Sequence, residues 1–139
     1  AISVAAKRGV DVKITLPRKS NHRLADWARS TYLREVYSYG AKLYFTDKML
    51  HAKAVLIDED VALLGSANLD LRSLLLNYEL GLFLYSAVDI ENVEHWFREV
   101  FSKSRKDPSV LRSLSGRPKW TAPLSATAEG LGRLLGPFL

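Results

Sequence analysis

The stretch H-A-K-A-V-L-I-D-E-D-V-A-L-L-G-S-A-N, residues 51–68, decides how this chain is read. Two apolar runs flank a charged triplet. They predict strands at 52–57 and 61–64, with Asp58, Glu59 and Asp60 as the turn of a hairpin. A hairpin brings its two open ends together. His51 and Lys53, two residues apart at one end, share a face. Ser66 and Asn68 return beside them at the other. The cluster holds an imidazole, an ammonium, a hydroxyl and a carboxamide, a set suited to a phosphate: Lys53 offers charge, and Ser66 and Asn68 offer directed hydrogen bonds. The imidazole can attack phosphorus or move a proton near neutral pH. No Asp, Glu and His set at ligand spacing accompanies it, so no metal or other cofactor is expected. The pattern H-x-K-x4-D-x6-G-S-x-N fixes six positions, which arise together by chance in a chain this size roughly once in a million.

Outward from the hairpin, helices and strands alternate. Ile2, Ala5 and Ala6 lie at helical spacing ahead of a Gly9 stop, and Val12, Ile14 and Leu16 alternate as a strand that Pro17 closes. Leu24, Trp27, Ala28, Thr31, Val36 and Tyr37 mark one face of a helix over about 23–39, with Gly40 past its end. Leu43 and Phe45 alternate in a second strand, and Leu80, Leu82 and Leu84 with Phe83 form a fifth. Asp89 is the expected N-cap of a helix whose stripe is Val93, Trp96, Phe97, Val100 and Phe101. The expected fold class is α/β, a mixed β-sheet flanked by helices.

The chain has 139 residues, 47% hydrophobic and 25% charged, which is the composition of a globular domain. It has no cysteine, which excludes a disulfide scaffold, a cysteine zinc site and a cysteine nucleophile. No apolar run approaches the roughly 18–20 residues of a membrane-spanning helix. The net charge of +5 is uneven: residues 1–101 carry 13 Lys/Arg and 13 Asp/Glu, and residues 102–139 carry 7 and 2. We therefore divide the chain into a catalytic region at 1–101 and a basic tail at 102–139. A neutral catalytic region argues against a nucleic-acid partner. In the tail, Trp120 and Phe138 with Leu131, Leu134 and Leu135 accompany the basic residues, a pattern for contact with an anionic lipid surface, against a plain solvated terminus.

The hairpin motif is the HKD motif of the phospholipase D superfamily, and the chain resembles that family. The longer run from Met49 through G-S-A-N-L-D-L-R-S to N-Y-E-L at residues 77–80 resembles the second catalytic motif of bacterial cardiolipin synthases. The opening A-A-K-R-G-V-D-V-K-I-T-L-P resembles the family's helix–strand unit ahead of that motif, and the C-terminal R-P-K-W and R-L-L-G-P-F-L also resemble the family. The resemblance implies a phospholipase D-like half-domain and a two-histidine mechanism. One histidine attacks a phosphodiester to form a phosphohistidine, and the other protonates the leaving alcohol. His51 would be one of the two. Lys53 and Asn68 would bind phosphate oxygens, Ser66 would assist at the pocket floor, and Glu79 would hydrogen-bond the far nitrogen of His51. Asp58 and Gly65 are expected to be structural parts of the motif. Arg72, Ser73 and Asn77 are candidate substrate contacts, against roles as a helix cap and surface polar groups.

Members of this type carry two such motifs, and this sequence carries one; His22 and His95 lack the pattern. The expectation is a half, truncated ahead of Ala1, that needs a second motif from a longer chain or from a homodimer partner. The implied activity is phosphatidyl transfer between phosphatidylglycerol molecules at a bacterial cell membrane, cytoplasm-facing or peripheral. The rivals are a phosphodiesterase, nuclease or phospholipase D hydrolase working as a homodimer, and an inactive half.

Overall fold

A computed structural model describes residues 1–18, 23–68, 73 and 75–107, with side chains from Arg29 onward in the second helix. The chain divides into two compact units, one of residues 1–49 with the chain from 104, the other of residues 50–103.

In the first unit, helix α1 (Ile2–Lys7) leads into strand β1 (Lys13–Pro17), helix α2 (Arg23–Ser38) and strand β2 (Lys42–Thr46). Both helices stop as the sequence predicts. Gly9 and Gly40 follow with φ of 86° and 99°, a region costly for any residue with a Cβ. β1 and β2 pair in parallel, Lys13 opposite Lys42 and Pro17 opposite Thr46, because α2 carries the chain back to the starting edge. The alternation in β2 buries Leu43 and Phe45, and Ile14, Leu16, Leu33 and Val36 pack on them.

The burial of α2 differs from the predicted stripe. Tyr37 is exposed, while Ser30 is fully buried. A serine is invisible to a search for apolar residues, yet here Arg34 bonds to it, donating from Nη2 to Ser30 Oγ and from Nε to Ser30 O, both at 3.2 Å. The polar group is thus satisfied inside the core.

Residues 104–107 are built onto β2: Phe45 and Arg105 exchange both backbone N–H···O bonds at 2.9 Å. Arg18 pairs with Asp107 at 2.7 Å, and Lys106 lies 5.2 Å from the Tyr44 ring centroid. The first basic residues of the tail are therefore occupied in folding. Its later residues, including Trp120, Phe138 and the three leucines, lie outside the described residues.

In the second unit, β3 (Ala54–Ile57), β4 (Val61–Gly65) and β5 (Gly81–Leu84) form an antiparallel sheet in that order. The hairpin is as predicted, with Ile57 opposite Val61 and Ala54 opposite Leu64. Asp58 sits in its turn with φ of 50°, a conformation that aspartate tolerates better than most residues. Helix α3 (Ala87–Ser102) packs on β3 and β4. Its buried positions are Ile90 and Val93, and Ala62 of β4 is fully buried. The helix starts earlier than predicted. Its cap is Ser86, whose Oγ accepts from the Asp89 N–H at 3.3 Å, and Asp89 instead supplies the first-turn negative charge. Ser86 has the extended backbone a cap requires.

The α/β expectation holds: helices accompany strands of both directions, distributed over two sheets. No helix among the described residues is long and apolar enough to cross a membrane.

Candidate active site

The site lies at the open end of the β3–β4 hairpin, opposite the Asp58 turn. β3 begins at Ala54, two residues later than predicted, but the pairing reaches one residue further: Gly65 N–H donates to Lys53 O at 3.0 Å. This bond sets Ser66 close to the His51–Lys53 segment. His51 is exposed and Lys53 half-buried. Lys53 Nζ meets His51 Nε2 at 2.9 Å and donates to His51 O at 2.9 Å. An ammonium has donors only, so Nε2 is the acceptor in that contact. Two of three ammonium protons are engaged, and one remains for an incoming oxygen.

Gly65 holds the return of the chain. A Cβ there would collide with the Leu80 carbonyl oxygen and stand 3.3 Å from Gly81 Cα. The close approach lets Ser66 N–H donate to Leu80 O at 2.9 Å while Leu80 N–H donates to Ser66 Oγ at 3.0 Å. The Ser66 hydroxyl proton goes to Glu79 Oε2 at 2.5 Å. Ser66 thus serves the β4–β5 junction and Glu79; its one proton is already committed.

Glu79 accepts on both oxygens. Besides Ser66, Asn77 Nδ2 donates to Oε1 at 3.2 Å. The Ser66 hydroxyl holds the carboxyl below the usual carboxylate range, followed by the bonds from Asn77 and Ser73 and the charge of Lys53. The expected bond from Glu79 to His51 does not form here: the structure brings Glu79 to Ser66, Asn77 and Ser73. Asn68 is exposed. Ser73 is buried, and Arg72 lies outside the described residues. Sequence reasoning gave Asn77 too little weight; its signal was the spacing of two from Glu79, which puts both side chains on one side of an extended segment. Among the described residues, no group of His, Asp and Glu is placed to hold a metal.

The depressed Glu79 value fixes the sign of one pH effect. Its ionised form contributes stability in full above the ordinary value of 4.5, and that contribution is lost as pH falls through the lower folded-state value. Urea midpoints compared at pH 6 and below pH 4 are expected to fall less in Glu79→Gln than in the unaltered chain. Asp11 and Glu99, whose carboxyls are lowered by Lys42 and Lys103 respectively, add to the same acid loss and are common to both proteins. All three are exposed, so the effect is small and weakens with salt. Equal acid losses in the two proteins would contradict the assignment.

An imidazole and an ammonium in contact at a hairpin's open end, backed by a G-S-x-N return, define a phospholipase D-like domain. The chain belongs to the family described as the cardiolipin synthase PLD-like domain, whose family model matches residues 1–101. It is 33% identical over 140 residues to the major cardiolipin synthase ClsA of Bacillus subtilis and to a cardiolipin synthase of Clostridium perfringens. It is 34% identical over 143 residues to a cardiolipin synthase of Listeria welshimeri. Each alignment covers all of this chain and 28% of the relative, so the chain spans little more than a quarter of the curated relatives it matches. No solved structure matches it significantly.

Proposed function

We propose that this chain supplies one half of the active site of a phosphatidyltransferase of the cardiolipin synthase kind. The observation that carries the reading is the 2.9 Å contact between Lys53 Nζ and His51 Nε2 at an exposed site. It sets an imidazole and an ammonium side by side; once Lys53 turns that proton to a phosphate oxygen, Nε2 is free to attack phosphorus or carry a proton.

Two imidazoles are needed, and His51 is one of them. In the first step a nitrogen of one imidazole forms a bond to phosphorus. The phosphorus–oxygen bond to glycerol breaks, and the second imidazole gives its proton to the leaving oxygen. In the second step the hydroxyl of another phosphatidylglycerol attacks phosphorus. Its proton returns to the second imidazole, and the phosphorus–nitrogen bond breaks. Lys53 and Asn68 stabilise the charge that builds on the non-bridging oxygens. Water must be kept out for transfer to outrun hydrolysis. The relatives are more than three times as long as this chain, which accommodates a second half in one polypeptide; a second copy of this chain is the other source of the missing imidazole. The partner surface is an anionic bilayer, which the protein meets peripherally.

The test is product analysis on phosphatidylglycerol vesicles, with a second HKD half supplied, beside single-stranded DNA as a rival substrate. Cardiolipin and glycerol in equal amounts are the expected products. Phosphatidic acid without cardiolipin would make the protein a hydrolase, cut DNA would make it a nuclease, and no product on either substrate would overturn an enzymatic role.

A further inference from the structure

The three-stranded sheet of the second unit has two edges, and they are built differently. β3, at one edge, is four residues long and lies between Lys53 and Asp58. Charged residues at the ends of a short edge strand guard it against pairing with another chain. β5, at the other edge, has no such guard. From Leu80 to Val88 the chain carries no charged residue and no proline. Leu80 and Tyr85 are 79% and 68% exposed, and Leu82 and Phe83 are exposed too. The first unit follows the rule: β1 starts at Lys13 and ends at Pro17, and Arg105 pairs with Phe45 of β2. Among the described residues, β5 is the one strand edge that is apolar, unguarded and unpaired.

The ladder shows which backbone groups of β5 face outward. Ser66 N–H donates to Leu80 O at 2.9 Å, so Leu80 is bonded towards β4. Bonding alternates along an antiparallel strand, so Leu82 and Leu84, opposite Leu64 and Ala62, are bonded the same way. Gly81, Phe83 and Tyr85 then turn their N–H and C=O groups to the open edge. Their side-chain positions share one face, where the Phe83 and Tyr85 rings stack with centroids 6.5 Å apart.

A second copy of the same strand fits this edge. Two-fold antiparallel pairing centred on Phe83 sets Phe83 of one copy against Phe83 of the other, Tyr85 against Gly81, and Leu82 against Leu84. Each tyrosine ring then covers a residue with no side chain, which steadies a glycine in a strand, and no charge faces another. We infer that β5 is a self-association edge, through which two copies of this chain join their sheets into one of six strands, three from each. The inference does not rest on the proposed reaction. Antiparallel pairing sends the two Gly81 ends apart, so it does not bring two His51 imidazoles to one phosphate.

The test is sedimentation of the 139-residue chain from about 1 to about 100 µM, with amide exchange followed at both ends of that range. A monomer–dimer equilibrium is expected. The Leu82 and Leu84 amides should be protected throughout, and those of Phe83 and Tyr85 only where the dimer forms. Phe83→Lys and Phe83→Glu each set like charges opposite one another across the two-fold, and each alone is expected to weaken association at least about tenfold. Mixing the two variants is expected to restore it, because opposite charges then meet. Misfolded variants would not recover on mixing. A chain that stays monomeric over the range would overturn the inference, even with Phe83 and Tyr85 protected, since another part of the same chain would then hold the edge. So would a dimer whose Phe83 and Tyr85 amides exchange as in the monomer, variants that associate as well as the unaltered chain, or a mixture that does not associate.

Discussion

His51→Asn is expected to lower phosphatidyl transfer at least ~10³-fold while leaving the fold intact. The asparagine keeps a polar side chain of similar reach but has no nitrogen that can attack phosphorus or carry a proton at neutral pH. Either role for His51, nucleophile or acid–base group, is lost, so the size of the effect does not depend on which it has. The fold should hardly respond. His51 is exposed and precedes β3, and its backbone carbonyl, which accepts from Lys53, is retained. A shift in unfolding free energy within about 0.5 kcal/mol is expected for such a position. The measurement is initial rate on phosphatidylglycerol vesicles with a second HKD half present, paired with a urea melt. Full activity in the variant would refute the mechanism. Equal losses of activity and fold would show that the residue acts through structure.

Phe45→Ala is expected to have the largest effect on stability. Phe45 is 1% exposed at the centre of the first unit's core, against Leu43, with Ile14, Leu16, Leu33 and Val36 around it. Truncation removes the buried ring and leaves a cavity whose walls are two paired strands and a helix, which collapse only in part. Losses of ~3–5 kcal/mol are usual for such a change, a large fraction of the ~5–15 kcal/mol that holds a domain together. The same residue's backbone N–H and C=O bond to Arg105 and are retained in alanine, so the segment at 104–107 loosens only through the loss of the core beneath it. The expected result is a urea midpoint well below that of the unaltered chain, with faster amide exchange at Lys42, Phe45 and Arg105. A midpoint change equivalent to less than about 1 kcal/mol would mean that this core is not what stabilises the unit.

Much of this was legible in the sequence because it depends on local periodicity. Alternation at Leu43 and Phe45 gave β2, the charged triplet gave the hairpin turn, and the glycines at 9 and 40 gave two helix stops. The misreadings share a cause. Asp89 and Ser86 are both good caps, and the choice depends on which residue has extended backbone where the chain leaves β5. Ser30 is buried because Arg34, one turn later, satisfies its hydroxyl while Leu33 and Val36 draw that face inward.

The hairpin and the spacing that joins His51 and Lys53 were legible without the fold, because two-residue periodicity and a tight turn fix register locally. The alternation of helices and strands was legible too, while the parallel pairing of β1 and β2 came from the fold, where the helix between them returns the second strand alongside the first. The partner of Glu79 was not legible, since Ser66 is 13 residues away and no local pattern joins the two. The tertiary structure alone also placed residues 104–107 on β2. A strand edge offers unpaired N–H and C=O groups to any extended segment, and no local pattern says which segment will take them.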